Sequence, residues 1–158
     1  MKKQKIYLET TMFNYYFDED RGIAHDSTVH LFKDIANGKY EAYTSRYVVD
    51  ELVNTKGEKR EKMLGLIAEY DIPVLEPTEE AVLIADRYVK DEIIPSKYRT
   101  DDLYISLATV YNLDMIISMN FQHIVKRKTK IGTSHVNALY GYRPVEIYTP
   151  MEVVEDES

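Results

Sequence analysis

The sequence contains no cysteine, which rules out several kinds of site. Disulfide bridges, zinc sites with thiolate ligands and cysteine nucleophiles are all excluded. No apolar run approaches the ~20 residues that a membrane-spanning helix needs. The N-terminal stretch MKKQKIYLET also lacks the apolar core of a signal peptide. We therefore expect a cytoplasmic protein that does not act in a membrane.

Positive charge is also in short supply. The chain has 20 Lys and Arg against 27 Asp and Glu, so its formal net charge is −7. Such a protein is a poor general binder of nucleic acid unless local basic patches or bound cations reverse the field. Part of the excess lies in 151–158, which we expect to be a disordered acidic tail. The length of 158 residues, without repeats or linkers, predicts one domain over 1–150.

Short apolar runs alternate with stretches of helical spacing along most of the chain. The runs predict strands at 5–8, 41–44, 72–75, 115–118 and 145–148. The helical spacings predict helices at 28–36, 58–70, 78–91, 101–112 and 133–140, with another after Ser45. We expect Ser45 and Thr100 to cap the helices that follow them, and the aromatic run 12–17 to cap the sheet or open a helix. This alternation predicts an α/β fold with a mostly parallel sheet covered on both faces.

Polar side chains follow several of the predicted strands. Glu9 comes directly after the first strand, and Ser118 and Asn120 lie at the end of the fourth. Glu51 lies in the helix behind the second strand, and Asp101 opens a later helix. Ligands of open parallel sheets bind beyond the carboxyl ends of the strands. We therefore expect these side chains to share one edge of the sheet.

Gathered carboxylates repel each other and weaken a fold unless something positive joins them. A hard cation that prefers oxygen ligands, Mg²⁺ or Mn²⁺, would offset that repulsion. In a chain with so many acids, a single acid is more often solvated surface. Spacing alone leaves the metal site and the solvated surface both open.

Five stretches of the chain together resemble the PIN-domain family: IYLETTMFNYYF, SRYVVDEL, TDDLYISLAT, MIISMNFQHIV and GYRPVEIYTP. The similarity is greatest to bacterial and archaeal members, which include toxins of type II toxin–antitoxin modules. It runs from about Lys5 to Pro150. The order and spacing of the set carry the resemblance, since no single stretch is specific.

The resemblance implies a three-layer α/β/α sandwich and a metal-dependent endoribonuclease that uses Mg²⁺ or Mn²⁺. Carried over by position, Glu9, Glu51 and Asp101 are the catalytic acids that bind metal, and Asn120 occupies the place of the last acid. By this resemblance, a metal held by these acids would activate water for in-line hydrolysis of an RNA phosphodiester. The resemblance also implies an RNA substrate, an antitoxin protein as partner, and a homodimer.

Other polar residues near these acids have more ordinary explanations. Thr10, Ser45 and Ser118 can orient metal ligands or contact phosphate, but each is also a common cap or strand-end residue. Asp102 can replace a missing acid only from a direction about 100° away from Asp101 on the same helix.

Two positions depart from the family pattern. The first acid of the family is usually Asp, and Glu9 is longer by one methylene. Asn120 is neutral, which weakens a second metal in particular. The alternative is therefore a non-catalytic PIN-like binding module with a degenerate acidic site. A phospho-acceptor receiver domain is a third hypothesis, but the stretch VLEP offers no Asp at the end of a middle strand.

Two basic clusters and a group of tyrosines are candidates for RNA contact. Each has a plainer alternative, a solvated charged face for the clusters and core packing for the tyrosines. The first cluster follows the fourth strand and consists of Lys126, Arg127, Lys128 and Lys130. The second lies near Glu51 and consists of Lys56, Lys59, Arg60 and Lys62. The tyrosines are Tyr15, Tyr16 and Tyr104.

Overall fold

The computed structural model describes residues 2–154, and its centre is a five-stranded sheet in which every pair of neighbours is parallel. The order across the sheet is β3-β2-β1-β4-β5. The strands are β1 (Gln4–Leu8), β2 (Tyr40–Ser45), β3 (Val74–Leu75), β4 (Met115–Ile117) and β5 (Glu146–Tyr148). The predicted α/β class is confirmed, and the sheet is wholly rather than mostly parallel.

Helices cover both faces of this sheet. They are α1 (Thr10–Tyr15), α2 (Ile23–Ala36), α3 (Arg46–Val53), α4 (Lys59–Glu69), α5 (Glu79–Lys90), α6 (Arg99–Val110), α7 (Arg127–Leu139) and α8 (Pro150–Val154), with short 3-10 turns at Glu19–Arg21 and Ser96–Tyr98. Right-handed crossovers place α1 to α4 on one face and α5 to α7 on the other. The packing agrees, since α5 contacts α6 and α7, α3 contacts α4, and α8 contacts α2. The result is a three-layer α/β/α sandwich.

The central strand β1 sets the position of the candidate site. Ile6, Tyr7 and Leu8 are fully buried, as a strand covered on both faces requires. β1 pairs with β2 on one side and with β4 on the other, where Leu8 stands opposite Ile117. The residues that follow β1 and β4 therefore leave the sheet side by side, and the Glu9 N–H donates to the Ile117 carbonyl at 3.3 Å.

The predicted cap at Ser45 is confirmed, and Thr78 caps helix α5 in the same way. The Ser45 hydroxyl accepts from the Val48 N–H and the Thr78 hydroxyl from the Ala81 N–H. The prediction for Thr100 was wrong. Because the 3-10 turn Ser96–Tyr98 runs directly into α6, that helix begins at Arg99 without a side-chain cap, and Thr100 lies inside its first turn.

Other boundaries also moved. Helix α2 begins at Ile23 rather than 28, and the third strand is only Val74–Leu75, because Pro73 beside it has no N–H to donate. The aromatic run 12–17 overlaps α1.

The predicted disordered tail was wrong for residues 151–154. They belong to α8, where Val153 is buried and its carbonyl accepts from the Tyr40 hydroxyl at 3.4 Å. Residues 155–158 lie outside the described part of the chain. Within residues 2–154, no helix has the length and apolar character needed to cross a membrane.

Candidate active site

Glu9 leaves β1 and caps α1 with its own side chain. Its Oε1 accepts hydrogen bonds from the Thr11 N–H at 3.2 Å, the Thr11 hydroxyl at 2.6 Å and the Ser118 hydroxyl at 2.7 Å. The side chain is only 3% exposed. Oε2 accepts no hydrogen bond from residues 2–154. One carboxylate oxygen is thus fixed in place, and the other remains available to a ligand.

Glu51 lies on the exposed side of α3 and reaches towards α6. Its Oε1 accepts from the Tyr104 hydroxyl at 2.7 Å. The same hydroxyl lies 2.9 Å from the Thr10 hydroxyl. Tyr104 therefore joins the helix that carries Glu51 to the segment that follows Glu9. Sequence reasoning missed this role, although Tyr104 stands three residues after Asp101 and so shares its side of the helix.

Asp101 lies in the first turn of α6 and faces the loop after β4. Its Oδ2 is 3.5 Å from the Asn120 amide nitrogen Nδ2. The Asn120 amide oxygen accepts from the His123 N–H at 3.0 Å, and the Asn120 N–H donates to the Ser118 hydroxyl at 2.9 Å. Asn120 is thus held on three sides between this loop and Asp101.

The acids influence each other electrostatically. Burial raises the pKa of Glu9 to about 7, against hydrogen bonds from Thr11 and Ser118 that lower it, and the charge of Asp101 raises it further. Burial and then the charge of Glu51 raise the pKa of Asp101 to about 6, although the hydrogen bond from Asn120 lowers it. None of the three acids forms an ion pair with a residue in 2–154. The edge therefore carries negative charge that no described cation balances.

Asp102 lies away from this group. It is fully buried, and neither carboxylate oxygen has a hydrogen-bond partner in the described chain. Burial, followed by the charge of Asp101, raises its pKa to about 8, so the carboxyl is mostly protonated at neutral pH. On the helix its side chain points about 100° away from that of Asp101. It does not replace a missing acid at the sheet edge.

The three predicted hydroxyl residues have different surroundings. Ser118 contacts Glu9 directly, and Thr10 connects to Glu51 through Tyr104. Ser45 lies 2.6 Å from the Tyr7 hydroxyl and caps α3, so its bonds are those of an ordinary structural residue.

The donor set suits a hard divalent cation in its chemistry, because carboxylate oxygens are the ligands that Mg²⁺ and Mn²⁺ prefer. The unpaired charges and the available Oε2 of Glu9 also fit such an ion. Among residues 2–154, however, no group of three or more acidic or histidine side chains is arranged to hold a metal ion. The acids supply suitable donors that are spread more widely than a bound ion requires.

The two basic clusters differ in how their charges are used. In the second cluster, Lys59 pairs with Asp18 at 2.5 Å and Arg60 with Glu61 at 3.2 Å. The first cluster is exposed around the start of α7, and none of its side chains pairs with a described acid: Lys126, Arg127, Lys128 and Lys130. Only the first cluster keeps its full positive charge for a partner.

The candidate tyrosines are mostly committed to the protein interior. Tyr104 is fully buried. Tyr16 packs edge-on against Phe32 and Tyr70, with ring centroids 5.0 and 6.4 Å away. The Arg21 guanidinium lies 5.1 Å from the ring centroid of Tyr15. The packing alternative therefore describes Tyr16 and Tyr104, and neither ring is free to stack on a base.

Neither a protein-family model nor a curated protein sequence matches the chain. A solved structure does, namely VapBC2 from Rickettsia felis bound to a DNA fragment from their promoter. The match has a TM-score of 0.60 and 13% sequence identity, and it covers 92% of this chain and 98% of the matched chain. The chain has a PIN-like fold. At this identity the similarity establishes the PIN-like architecture and not the chemistry of the edge.

Proposed function

We propose that the protein is a metal-dependent endoribonuclease, with Mg²⁺ or Mn²⁺ held by Glu9, Glu51 and Asp101. The observation that carries the proposal is the unbalanced acidic edge. Three carboxylates approach the same end of the sheet, the charge of one raises the pKa of the next, and no described cation compensates them. Gathered negative charge of this kind is costly unless a cation binds.

The surrounding residues orient each acid for this role. Thr11 and Ser118 hold Oε1 of Glu9, which leaves Oε2 for a ligand. Tyr104 holds Glu51 by a single hydrogen bond, and because Glu51 is exposed it is the side chain that can move inward to complete a coordination sphere. When bound, the cation would ionise a water and offset charge in phosphodiester hydrolysis.

RNA is the proposed substrate, and the basic cluster of residues 126–130 supports it. Its four unpaired cations lie near the start of α7, in the chain segment that follows Asn120. Positive charge beside an acidic centre is where a phosphate backbone can be held while the acids act on it. The chain as a whole is acidic, so such local charge is needed for binding.

The similarity to a chain of VapBC2 supports a second part of the proposal. We propose that the protein is the toxin of a toxin–antitoxin pair, acts in the cytoplasm, forms a homodimer and binds an antitoxin protein. Size-exclusion chromatography with light scattering tests the homodimer, because a monomeric mass at micromolar concentration contradicts it.

The nuclease is tested with labelled single-stranded RNA and purified protein. We expect cleavage with Mn²⁺ or Mg²⁺, none with EDTA, and loss of at least about 100-fold in the Asp101→Asn variant. Asp114→Asn, an acid at the opposite end of the sheet, is the matched control and should cleave as the wild type does. Metal-independent cleavage, or full activity in Asp101→Asn, contradicts the proposal.

A second candidate function is a non-catalytic binding module. It is favoured by Asn120, whose amide oxygen is already taken by the His123 N–H, and by the wide spacing of the acids. Calorimetric titration with Mn²⁺ separates the two functions. Micromolar binding that Glu51→Gln abolishes supports the nuclease, whereas no binding at millimolar Mn²⁺ supports the module.

A further inference from the structure

His123 has an unusual environment for a buried histidine. Its side chain lies in the loop between β4 and α7 and is 8% exposed. Neither ring nitrogen has a hydrogen-bond partner among residues 2–154. A buried polar group without partners normally destabilises a fold, so its position requires another explanation.

The contact that holds the imidazole is a ring stack. The ring of Tyr98 lies 3.9 Å from it between centroids, with an interplanar angle of 30°. Burial, followed by the charge of Lys126, lowers the pKa of His123. Lys97 places a second cation 5.6 Å from the Tyr98 ring centroid. These surroundings disfavour the charged imidazolium, and the ring presents a flat aromatic surface to Tyr98.

The stack joins the two chain segments that carry Asn120 and Asp101. His123 is three residues after Asn120, and Tyr98 ends the 3-10 turn directly before α6. Asp101 lies in the first turn of that helix. The stacked rings therefore connect the loop after β4 with the segment that leads into α6.

The backbone of His123 also fixes which way the Asn120 amide points. Its N–H donates to Oδ1 of Asn120 at 3.0 Å, and only the oxygen of an amide can accept that bond. The NH₂ group is then left on the opposite side, 3.5 Å from Oδ2 of Asp101. Asn120 thus serves Asp101 as a donor and does not offer its oxygen to a metal.

We propose that His123 and Tyr98 are a pair of positioning residues. Their stack sets the distance between the loop after β4 and the start of α6, and it directs the Asn120 NH₂ group at the Asp101 carboxylate. The expected effect of the stack on metal binding rests on the proposed function, in which Asp101 is a metal ligand. The orientation of Asn120 does not depend on it.

The test compares variants that keep the stack with variants that remove it. His123→Phe and Tyr98→Phe retain two aromatic rings, whereas His123→Ala and Tyr98→Ala leave one. The first readout is the ¹⁵N–¹H NMR signal of the Asn120 side-chain amide in EDTA, and the second is calorimetric titration with Mn²⁺. Tyr111→Ala, at the other end of α6, is the control for a general loss of stability.

We expect both Ala variants to shift the Asn120 amide signals and to weaken Mn²⁺ binding roughly tenfold, as loss of groups that orient a ligand commonly does. Both Phe variants and Tyr111→Ala should resemble the wild type. The double Ala variant should be no worse than either single one, since each change alone already breaks the stack.

Several outcomes overturn the proposal. Unchanged Asn120 signals in both Ala variants show that the stack does not position the amide. A His123→Phe variant as impaired as His123→Ala shows that the ring nitrogens matter instead. If His123→Ala does not fold, Tyr98→Ala decides the question from the more exposed side of the stack. If the wild type binds no Mn²⁺, the proposed function fails, while the amide signals still decide the positioning.

Discussion

The two ends of the same parallel sheet treat their carboxylates differently. At the amino end, Asp114 precedes β4, accepts from the Lys5 N–H at 2.6 Å and pairs with Arg143 at 2.9 Å. At the carboxyl end, Glu9 and Asp101 have hydroxyl and amide donors but no described cation. Both ends use neutral donors to orient an acid, and only the amino end adds a positive charge.

The difference in energy is larger than the single contacts suggest. An exposed ion pair such as that of Asp114 contributes about 0–1 kcal/mol. Keeping Glu9 ionised at neutral pH, against a pKa raised from 4.5 to about 7, costs about 3 kcal/mol. Within residues 2–154, the fold thus balances the carboxylate at one end of the sheet with a cation and carries this cost at the other end.

The strongest change in Mn²⁺ binding is expected from Glu51, at the carboxyl end of the sheet. Glu51→Gln should weaken Mn²⁺ binding roughly 100-fold, because one of three anionic ligands becomes neutral. Glu51 is exposed, so the free energy of unfolding should change by less than about 0.5 kcal/mol. Calorimetry and urea unfolding measure the two quantities. If Glu51→Gln and Asp114→Asn bind Mn²⁺ equally well, the carboxyl end of the sheet has no special role in metal binding, which contradicts the prediction.

A second prediction concerns Asp102, a buried acid without a described partner. Its folded-state pKa of about 8 lies above the ordinary value, so between about pH 4 and 8 the folded protein binds a proton that the unfolded chain releases. The free energy of unfolding therefore falls as pH rises through that window, by up to about 1.4 kcal/mol per pH unit.

In the Asp102→Asn variant the side chain cannot ionise, so the free energy of unfolding does not fall with pH for this reason. Urea unfolding in EDTA between pH 5 and 8 should show the variant gaining on the wild type by about 3.5 kcal/mol as pH rises. Parallel stability curves for the two proteins show that the Asp102 carboxyl does not titrate in this window.

A third prediction concerns the protons that Glu9 and Asp101 bind at the carboxyl end of the sheet. Without metal, the pKa of Glu9 is about 7 and that of Asp101 about 6, so both bind protons below these values. Mn²⁺ must displace protons from both groups, and its affinity should rise roughly 25-fold between pH 5.5 and 6.5. Calorimetry in two buffers with different ionisation enthalpies counts the protons released. Release of none at pH 6 contradicts these shifted pKa values.

The smallest change in stability is expected from Arg143, at the amino end of the sheet. Arg143→Met removes the cation of Asp114 and a bond of 2.6 Å to the Asn112 carbonyl. Because Arg143 is largely exposed, the free energy of unfolding should fall by only about 0.5–1 kcal/mol. Mn²⁺ affinity should stay within twofold of the wild type. A large drop in Mn²⁺ affinity would show that the two ends of the sheet are energetically coupled, which contradicts the prediction.

Much of the fold follows from local sequence signals. Apolar runs locate all five strands, and the side chains of Ser45 and Thr78 mark two helix starts because capping needs only residues within one turn. The strand ends also indicate where Glu9 and Asn120 leave the sheet. Such features depend on neighbours in sequence, and a single chain is enough to infer them.

Features that depend on distant partners were not accessible in the same way. Helix α7 begins at Arg127, six residues before its predicted start after Gly132. A Cβ at Gly132 would lie 2.7 Å from the Ile93 side chain, so this glycine permits close packing rather than ending a helix. The bridge from Tyr104 to Glu51 and Thr10 likewise depends on which side chains meet across three elements.

The central place of β1 has a consequence for the protein during its own synthesis. Glu9 is translated 109 residues before Ser118, whose hydroxyl holds it. Strand β4, which brings Ser118 alongside, pairs directly with β1 and cannot do so before it has left the ribosome. A nascent chain therefore has no complete acidic edge until β4 has emerged, and a nuclease built on this topology would spare the RNA around it until then.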